Sequence, residues 1–362
     1  MNTSASLRWS QAKNVLCVRL DYLGDVLMCT PAMRAVKQSA SGRLVTLLSS
    51  KSGVAAFPFI PEIDGVIEYA APWMKSSAPH SATMDMEFIQ SLQSHAFDAA
   101  IIFTSYSQSA LPAAQMCYLA GIPIRLAHCR ENPYQLLTNW IAETEPQEIV
   151  RHEVRRQLDL VESVGWKTAE EKLSFSVRDS DVDWMRDRLH AMGIDLKQPW
   201  IMMHPGATAA SRRYPAGHWT QVIQTLTGNC GYAVVLTGDA SEAAMIEEIR
   251  VASGSIAHSL AGELDLGKLG AAISLASIVI SNNTGPAHMA SAIGTPLVDL
   301  YALTNPQHTP WQVESRVLFH DVPCRFCYKS ICPQEHHDCL SKVKPAQVVE
   351  AAQSLFLSIS SG

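Results

Sequence analysis

The stretch RLDYLGDVLMCTP, Arg19 to Pro31, carries two carboxylates, Asp21 and Asp25, on either side of Gly24 and directly behind the apolar run Val15-Leu16-Cys17-Val18. A carboxylate at the exit of a strand can take a proton from a substrate hydroxyl, so the question is which of the two is placed to do so. If the strand runs from Val15 to Leu20, Asp21 sits at its exit. Asp25 then falls at the start of the next helix, where the N-terminal dipole favours an ionised carboxylate. The same dipole lowers the pKa and weakens a base, so burial has to offset part of it. Gly24 removes the side chain that would crowd an incoming reactant, whereas Asp21, nearer the strand end, is expected to tie down the loop.

Three loops of the second half have an anion-binding design. HPGATAASRRYP, His204 to Pro215, follows an apolar run and precedes a helix. Its Gly206 and small residues, Thr208 among them, let backbone N–H groups approach an anion, with Arg212 and Arg213 adding fixed charge. A tight turn with two solvated arginines is the plainer alternative, and neither the Walker spacing nor G-x-G-x-x-G is present. SNNTGPAHMASAIGTP, Ser281 to Pro296, has a turn with Thr284, Gly285 and Pro286 and would offer a diphosphate the free N–H groups of a helix start near Ala287, the Thr284 hydroxyl and His288. Here the alternative is a β-turn with Thr284 as a helix cap. In LTGDASE, Glu242 can accept ribose hydroxyls or simply be an exposed helix-start glutamate. Three such loops are expected to converge on one edge of one sheet.

A fourth pattern is CRFCYKSICPQEHHDC, with Cys324, Cys327, Cys332 and Cys339 enclosing His336 and His337. Four thiolates at this spacing can wrap a tetrahedral structural zinc or iron. The later intervals are tighter than in common zinc modules, which leaves reduced loop thiols as the alternative, and two disulfides are the weaker one.

The elements that must position these residues alternate. NVLCVRL, RLVTLLS, GVIEY and FDAAIIF are short apolar runs separated by amphipathic stretches, which predicts a parallel sheet covered on both faces. Helices are expected around 151–164 and over Ser180–Met192, the latter with a Ser180 cap and Gly193 as its stop. The alternation restarts with PWIMMHPG, a helix over Ala216–Thr227, YAVVLTG, a helix over Ser241–Val251, a helix over Leu266–Leu275, SIVISNN and TPLVDLYA. The expectation is an α/β protein of two Rossmann-like domains with sheets facing across a cleft, the GT-B arrangement. Residues 1–175 would form the first domain and residues 176–345 the second, with the Cys-rich segment 324–339 in the latter, while a helix in 346–362 would pack back on the first domain.

Composition bounds the alternatives. At 362 residues the chain suits two domains rather than one core. With 47% hydrophobic and 17% charged residues and a formal net charge of -6, it reads as a soluble globular protein without the basic face that nucleic acid requires. The leader MNTSASLRWSQAK has no apolar h-region, so a cytosolic location is expected. The long uncharged stretch Leu269–Val298 is broken by Asn282, Asn283, Gly285 and Pro286 before about 20 apolar residues accumulate.

At VLCVRLDYLGDVLMCTPAMRAVK, HEVRRQLDLVESVG, MMHPGATAASRRYPAGHW, VVLTGDASE and LAGELDLGKLGAAISLASIVISNNTGPAHMASAIGTPLVDLYALTNP, in that order, the sequence resembles glycosyltransferase family 9, the ADP-heptose:lipopolysaccharide heptosyltransferases. The resemblance implies a GT-B fold, ADP-heptose held mostly by the C-terminal domain, an inner-core lipopolysaccharide acceptor met by the N-terminal domain, and inversion at the anomeric centre. It places the general base on Asp25, a donor-phosphate contact on Arg212, a ribose contact on Glu242, diphosphate contacts on Thr284, Gly285 and His288, and the adenine slot near Leu264. Catalysis in such enzymes generally requires no metal or other cofactor, and contact with the cytosolic face of the inner membrane would fit the acceptor. Many family members carry Asp where this chain has Asn283, which leaves the donor's identity open. Basic residues of the first half, including Arg19, Lys51, Arg125, Arg130, Arg151 and Arg155, are candidates for the anionic acceptor. A transferase of the same fold with another nucleotide sugar, or a non-catalytic nucleotide-sugar-binding protein, are the alternatives. An NAD-dependent oxidoreductase is disfavoured because the fingerprint glycines are missing and the second strand ends in Leu48-Ser49-Ser50 without an acid for ribose.

Overall fold

A computed structural model describes residues 8–75 and 79–360. The chain divides after Ser174 into two compact units. In the first, β1 (Asn14–Arg19), β2 (Leu44–Ser49), β3 (Gly65–Glu68), β4 (Ala99–Ile102), β5 (Ile124–Cys129) and β6 (Asn139–Ala142) form a six-stranded sheet in the order β3-β2-β1-β4-β5-β6. In the second, β7 (Trp200–His204), β8 (Ala233–Leu236), β9 (His258–Ser259), β10 (Ile278–Asn282), β11 (Leu297–Leu300) and β12 (Ser315–Leu318) take the order β12-β11-β10-β7-β8-β9. All pairings are parallel. Renumbered within its unit, the second sheet repeats the first, and both are the Rossmann order in which the strand sequence reverses beside the first strand. This is the α/β architecture of the GT-B class.

The central strands are buried along their length, as apolar runs covered on both faces must be. Val15, Leu16, Cys17 and Val18 of β1 and Ile278, Val279 and Ile280 of β10 are all buried. β5 and β6 have no counterpart among the expected runs. β5 is buried throughout although it contains Arg125, whose guanidinium is absorbed by the carbonyls of Ile122, Gln135 and Leu136. β6 is a short edge strand with alternating burial, too brief a signal to stand out.

Three expected elements shift. The helix after the first unit runs Asp179–Ala191 with Arg178, not Ser180, at its cap position. Asp181 sits in its first turn and pairs with Arg178 at 2.7 Å. It does end before Gly193, whose φ of 80° suits a residue without Cβ. The helix beginning at Ala216 ends at Gln224 and continues as a π-turn over Thr225–Asn229. The C-terminal helix Pro345–Ser360 belongs to the second unit. Val348, Val349, Ala351, Ala352 and Leu355 join the core of the second sheet beside Trp219, Val298 and Leu300, because its apolar stripe completes that sheet's cover. Among the described residues no helix is long and apolar enough to cross a membrane.

Candidate functional site

In the first unit the chain leaves β1 at Arg19 and enters the helix Leu23–Gln38, with Asp25 as its third residue. Asp25 Oδ2 accepts the Tyr22 N–H at 3.2 Å, so the carboxylate satisfies one of the donors that a helix start leaves open. Its other oxygen faces Arg19, whose side chain is only 1% exposed and lies among three carboxylates. Nη2 donates to Asp25 Oδ1 at 3.1 Å, and Nη1 donates to Glu153 Oε1 at 2.7 Å. Nε lies 2.8 Å from Asp21 Oδ2 but is not aligned for a hydrogen bond, which makes that contact an ion pair. Glu153 opens the helix Glu153–Glu162, is fully buried, and also accepts Gln157 Nε2 at 2.8 Å.

One guanidinium cannot neutralise three carboxylates, and of the two aspartates the less solvated, Asp21, is the harder to keep ionised. Burial pushes the Asp21 carboxyl up to about 6; Asp25 and Glu153 add to that, while Arg19 and a 2.6 Å hydrogen bond from Gln108 oppose it. The Asp25 side chain stays 24% exposed and remains reachable. Arg19, one of the basic candidates for an anionic acceptor, is taken up instead by Asp21, Asp25 and Glu153. Gly24 is buried in the first helical turn rather than standing open to an incoming molecule. Among the other basic candidates, Arg151 and Arg155 are engaged by Glu145, Asp159, Glu162 and Glu171. Sequence reasoning missed Glu153 and Gln108, since nothing local marks a glutamate in an amphipathic helix or a loop glutamine as partners of a strand 134 or 87 residues distant.

In the second unit, Thr208, Glu242, Leu264, Thr284 and Gly285 line one cavity of about 210 Å³ together with His204 and Asp239. An adjoining cavity of about 260 Å³ is lined by Thr208, Arg213, Asp239 and Glu242. Glu242 ends the loop after β8 and accepts the Asp239 N–H at 3.1 Å; burial raises its carboxyl pKa. Gly206 serves this carboxylate directly. A Cβ there would stand 2.1 Å from Glu242 Oε1, so the glycine makes room for the glutamate. His204, absent from the expected set, has Nδ1 3.1 Å from Thr237 Oγ1 and Nε2 3.8 Å from Glu242 Oε2; burial lowers its pKa to about 4, so the ring is neutral.

Thr284 takes the cap position of the helix Gly285–Ile293 without capping it. Its hydroxyl donates to Asn282 O at 3.2 Å, so no side chain of this turn occupies the helix start. Asn283 is buried; its N–H donates to Leu300 O, and its Oδ1 has no hydrogen-bond partner. His288 is buried one turn into the helix. Arg212 lines neither of these cavities; its charge acts on the buried Asp299 and Tyr301, and Arg213 is the arginine beside Glu242.

Cys324, Cys327, Cys332 and Cys339 are all unbridged and line a separate cavity of about 30 Å³ with His336. Cys324 Sγ is 3.6 Å from His336 Nε2. Among the described residues no three His, Cys, Asp or Glu side chains stand close enough to hold a metal as they are.

Two Rossmann-order sheets place a carboxylate in the first turn after β1 and a polar cavity among the loops after β7, β8 and β10, at the carboxyl ends of parallel strands where open α/β sheets carry their ligand sites. The chain belongs to glycosyltransferase family 9 (heptosyltransferase), whose pattern matches residues 86–337, and it is a glycosyltransferase. It is 22% identical to lipopolysaccharide heptosyltransferase 2 of Escherichia coli over 95% of this chain and 98% of that protein. It is 27% identical to lipooligosaccharide heptosyltransferase 2 of Campylobacter jejuni over 42% of this chain, a match that spans half of that protein. The crystal structure of a family 9 glycosyl transferase from Veillonella parvula superposes with a TM-score of 0.80 at 21% identity, covering 96% of this chain and 98% of that one. The E. coli heptosyltransferase WaaC solved with ADP gives a TM-score of 0.68 at 17% identity over 94% and 99%.

Proposed function

We propose that this glycosyltransferase moves a heptose from ADP-heptose to the inner core of lipopolysaccharide or a related cell-surface glycan, with inversion at the anomeric carbon and Asp25 as general base. The observation that carries the reading is the setting of Asp25: a carboxylate fixed by Arg19 and the Tyr22 N–H, yet still partly exposed. Fixing a base in this way removes the need to reorient it during reaction. In the proposed step the acceptor oxygen attacks C1 as its proton passes to Asp25. The bond from C1 to the β-phosphate oxygen breaks, and ADP leaves with the electron pair. The Thr284 turn, whose helix start no side chain of the turn caps, and Arg213 supply dipole and charge for the departing diphosphate, while Glu242 accepts ribose hydroxyls. Asp25→Asn is expected to retain the fold and ADP affinity and to lose transfer by at least a hundredfold. Wild-type-like turnover in that variant would reject the assignment. Hydrolysis of the sugar nucleotide with and without acceptor separates an enzyme from a non-catalytic binder.

The cysteine tail supports a second, structural reading. Four thiols line one small cavity of about 30 Å³. Phe326, Tyr328, Glu335 and His337 adopt positive φ along the same segment, which turns its backbone sharply between the cysteines. We propose a structural zinc or iron there, bound as the thiols draw inward. Metal analysis of the purified chain and of Cys327→Ser tests it, and metal at background level in the wild type would end the idea.

A further inference from the structure

The cysteine segment is strapped to the loop that carries Arg212 and Arg213. The Ser211 N–H donates to Ser330 O at 3.1 Å, midway between Cys327 and Cys332. Two residues earlier the Tyr328 N–H donates to Leu303 O at 3.1 Å, and the Tyr328 hydroxyl accepts the Asn305 N–H at 3.3 Å. The far end of the segment is fixed as well, since the His320 N–H donates to Cys339 O at 2.8 Å and Leu340 enters the core of the second sheet. Ser330 itself is exposed, as are Lys329 and Ile331 on either side. The Ser211 bond thus ties the loop to the solvated part of the strap, not to the core.

Ser211 stands at the junction of two sites. It lines the cavity that the four thiols share, is only 5% exposed, and its hydroxyl has no hydrogen-bond partner among the described residues. The turn around it closes on itself: the Arg212 N–H donates to Ala209 O at 3.0 Å and the Arg213 N–H to Ala210 O at 3.1 Å. Arg213 Nε then donates to Ala207 O at 2.8 Å, and Arg213 lines the cavity beside Thr208 and Glu242. A shift of Ser211 is passed to Arg213 by a single turn.

We propose that the thiol cavity is an allosteric site: a thiophilic divalent cation bound there raises the affinity of the second unit for a nucleoside diphosphate, through Ser211 and the loop 204–215. The inference rests on the two readings proposed above, a nucleotide in the second unit and a metal at the thiols, and adds a coupling between them.

The coupling has a physical cause. Among the described residues no three ligating side chains stand close enough to hold a metal as they are, whereas thiolates bind zinc at about 2.3 Å. Binding must therefore draw the segment inward and fix it. The cation also relieves the thiols: burial raises the Cys339 pKa, and Cys332, Cys327 and Cys324 add to the rise. Once the strap is fixed, the loop tied to it by Ser211 has less freedom left to lose when nucleotide binds, so the second ligand binds with a smaller entropic loss. Linkage makes the effect mutual, and nucleotide must raise metal affinity by the same factor.

The test uses the full chain, stripped of metal by a chelator, with one half reloaded with zinc and dialysed free of excess. ADP is titrated calorimetrically into both. The zinc-loaded protein is expected to bind ADP at least fivefold more tightly, within the usual range for coupled sites of about 5–150-fold. Zinc should also slow hydrogen exchange of the amides at 209–213, which a metal serving the cysteine segment alone would leave unmoved. Cys327→Ser, treated with zinc in the same way, should bind ADP like the stripped wild type; the comparison of stripped with loaded wild type does not depend on that variant folding. Zinc uptake with ADP affinity within twofold of the stripped protein, or with exchange at 209–213 unchanged, would overturn the coupling and leave the metal site standing. No zinc uptake would end the metal reading and the coupling together. ADP binding to neither form would end the nucleotide reading and, with it, the coupling.

Discussion

Replacing Arg19 with Met would remove the one cation among Asp21, Asp25 and Glu153 while keeping most of the side chain's length. Removing one partner of a buried ion pair typically costs about 3–5 kcal/mol, because the partners left behind stay buried without compensation. Glu153 is the clearest victim: it is fully buried, Arg19 is its only ion-pair partner among the described residues, and one of its oxygens already lacks a hydrogen bond. In a unit of this size that loss corresponds to a fall in Tm of roughly 6–20 °C, at about 2–4 °C per kcal/mol. The pH dependence gives the sharper signature. Without the guanidinium, the burial that already raises the Asp21 carboxyl loses the opposition of Arg19, so its folded-state pKa moves further above its unfolded value. Stability from such a group is present below the unfolded pKa and is lost as pH rises through the folded one. The deficit of Arg19→Met relative to wild type should therefore be greatest near pH 8 and shrink toward pH 4.5. Thermal unfolding followed by circular dichroism at both values measures it. A deficit below about 1 kcal/mol, or one equal at the two pH values, would refute the view that Arg19 exists to compensate these carboxylates.

Two further predictions concern the second unit. Gly206→Ala should leave the fold intact, since the clash is with the far end of the Glu242 side chain, but should push that carboxylate aside and weaken ADP binding by about tenfold, the loss of one hydrogen bond to a charged group; unchanged affinity by calorimetry would remove Glu242 from the site. Asp299 is fully buried on β11, neither oxygen has a hydrogen-bond partner, and burial pushes its pKa up to about 8 against the pull of Arg212. Its folded pKa is raised, so wild-type stability should decline as pH rises from about 4 toward 8, and Asp299→Asn should remove that part of the slope; parallel melting curves across pH 5–9 would contradict it.

The strand–turn–helix units around Asp25, Gly206, Glu242 and Thr284 were legible because each is written locally: an apolar run, then glycine or proline punctuation, then an amphipathic stretch. The alternation also implied two parallel sheets. Its weak points were elements whose signal is short or non-local. β6 has four residues, and β5 hides a buried arginine whose partners are carbonyls elsewhere in the chain. The Pro345–Ser360 helix has an apolar face, but a face does not name the sheet that will cover it.

What the sequence determined by itself was therefore the set of chemical groups and the turn in which each sits, since backbone conformation there depends on near neighbours. Which groups meet was decided only by the tertiary structure. Arg19 reads as an available cation until Glu153, 134 residues later, arrives beside it. The partners of Asp21 are likewise set by the loop after β4, which brings Gln108 against it. Arg212 and Arg213 are adjacent in the chain, yet only Arg213 lines the cavity beside Glu242, while the charge of Arg212 acts on the buried Asp299. Charge and solvation depend on distance in space, and the strand order that sets those distances is a property of the whole sheet.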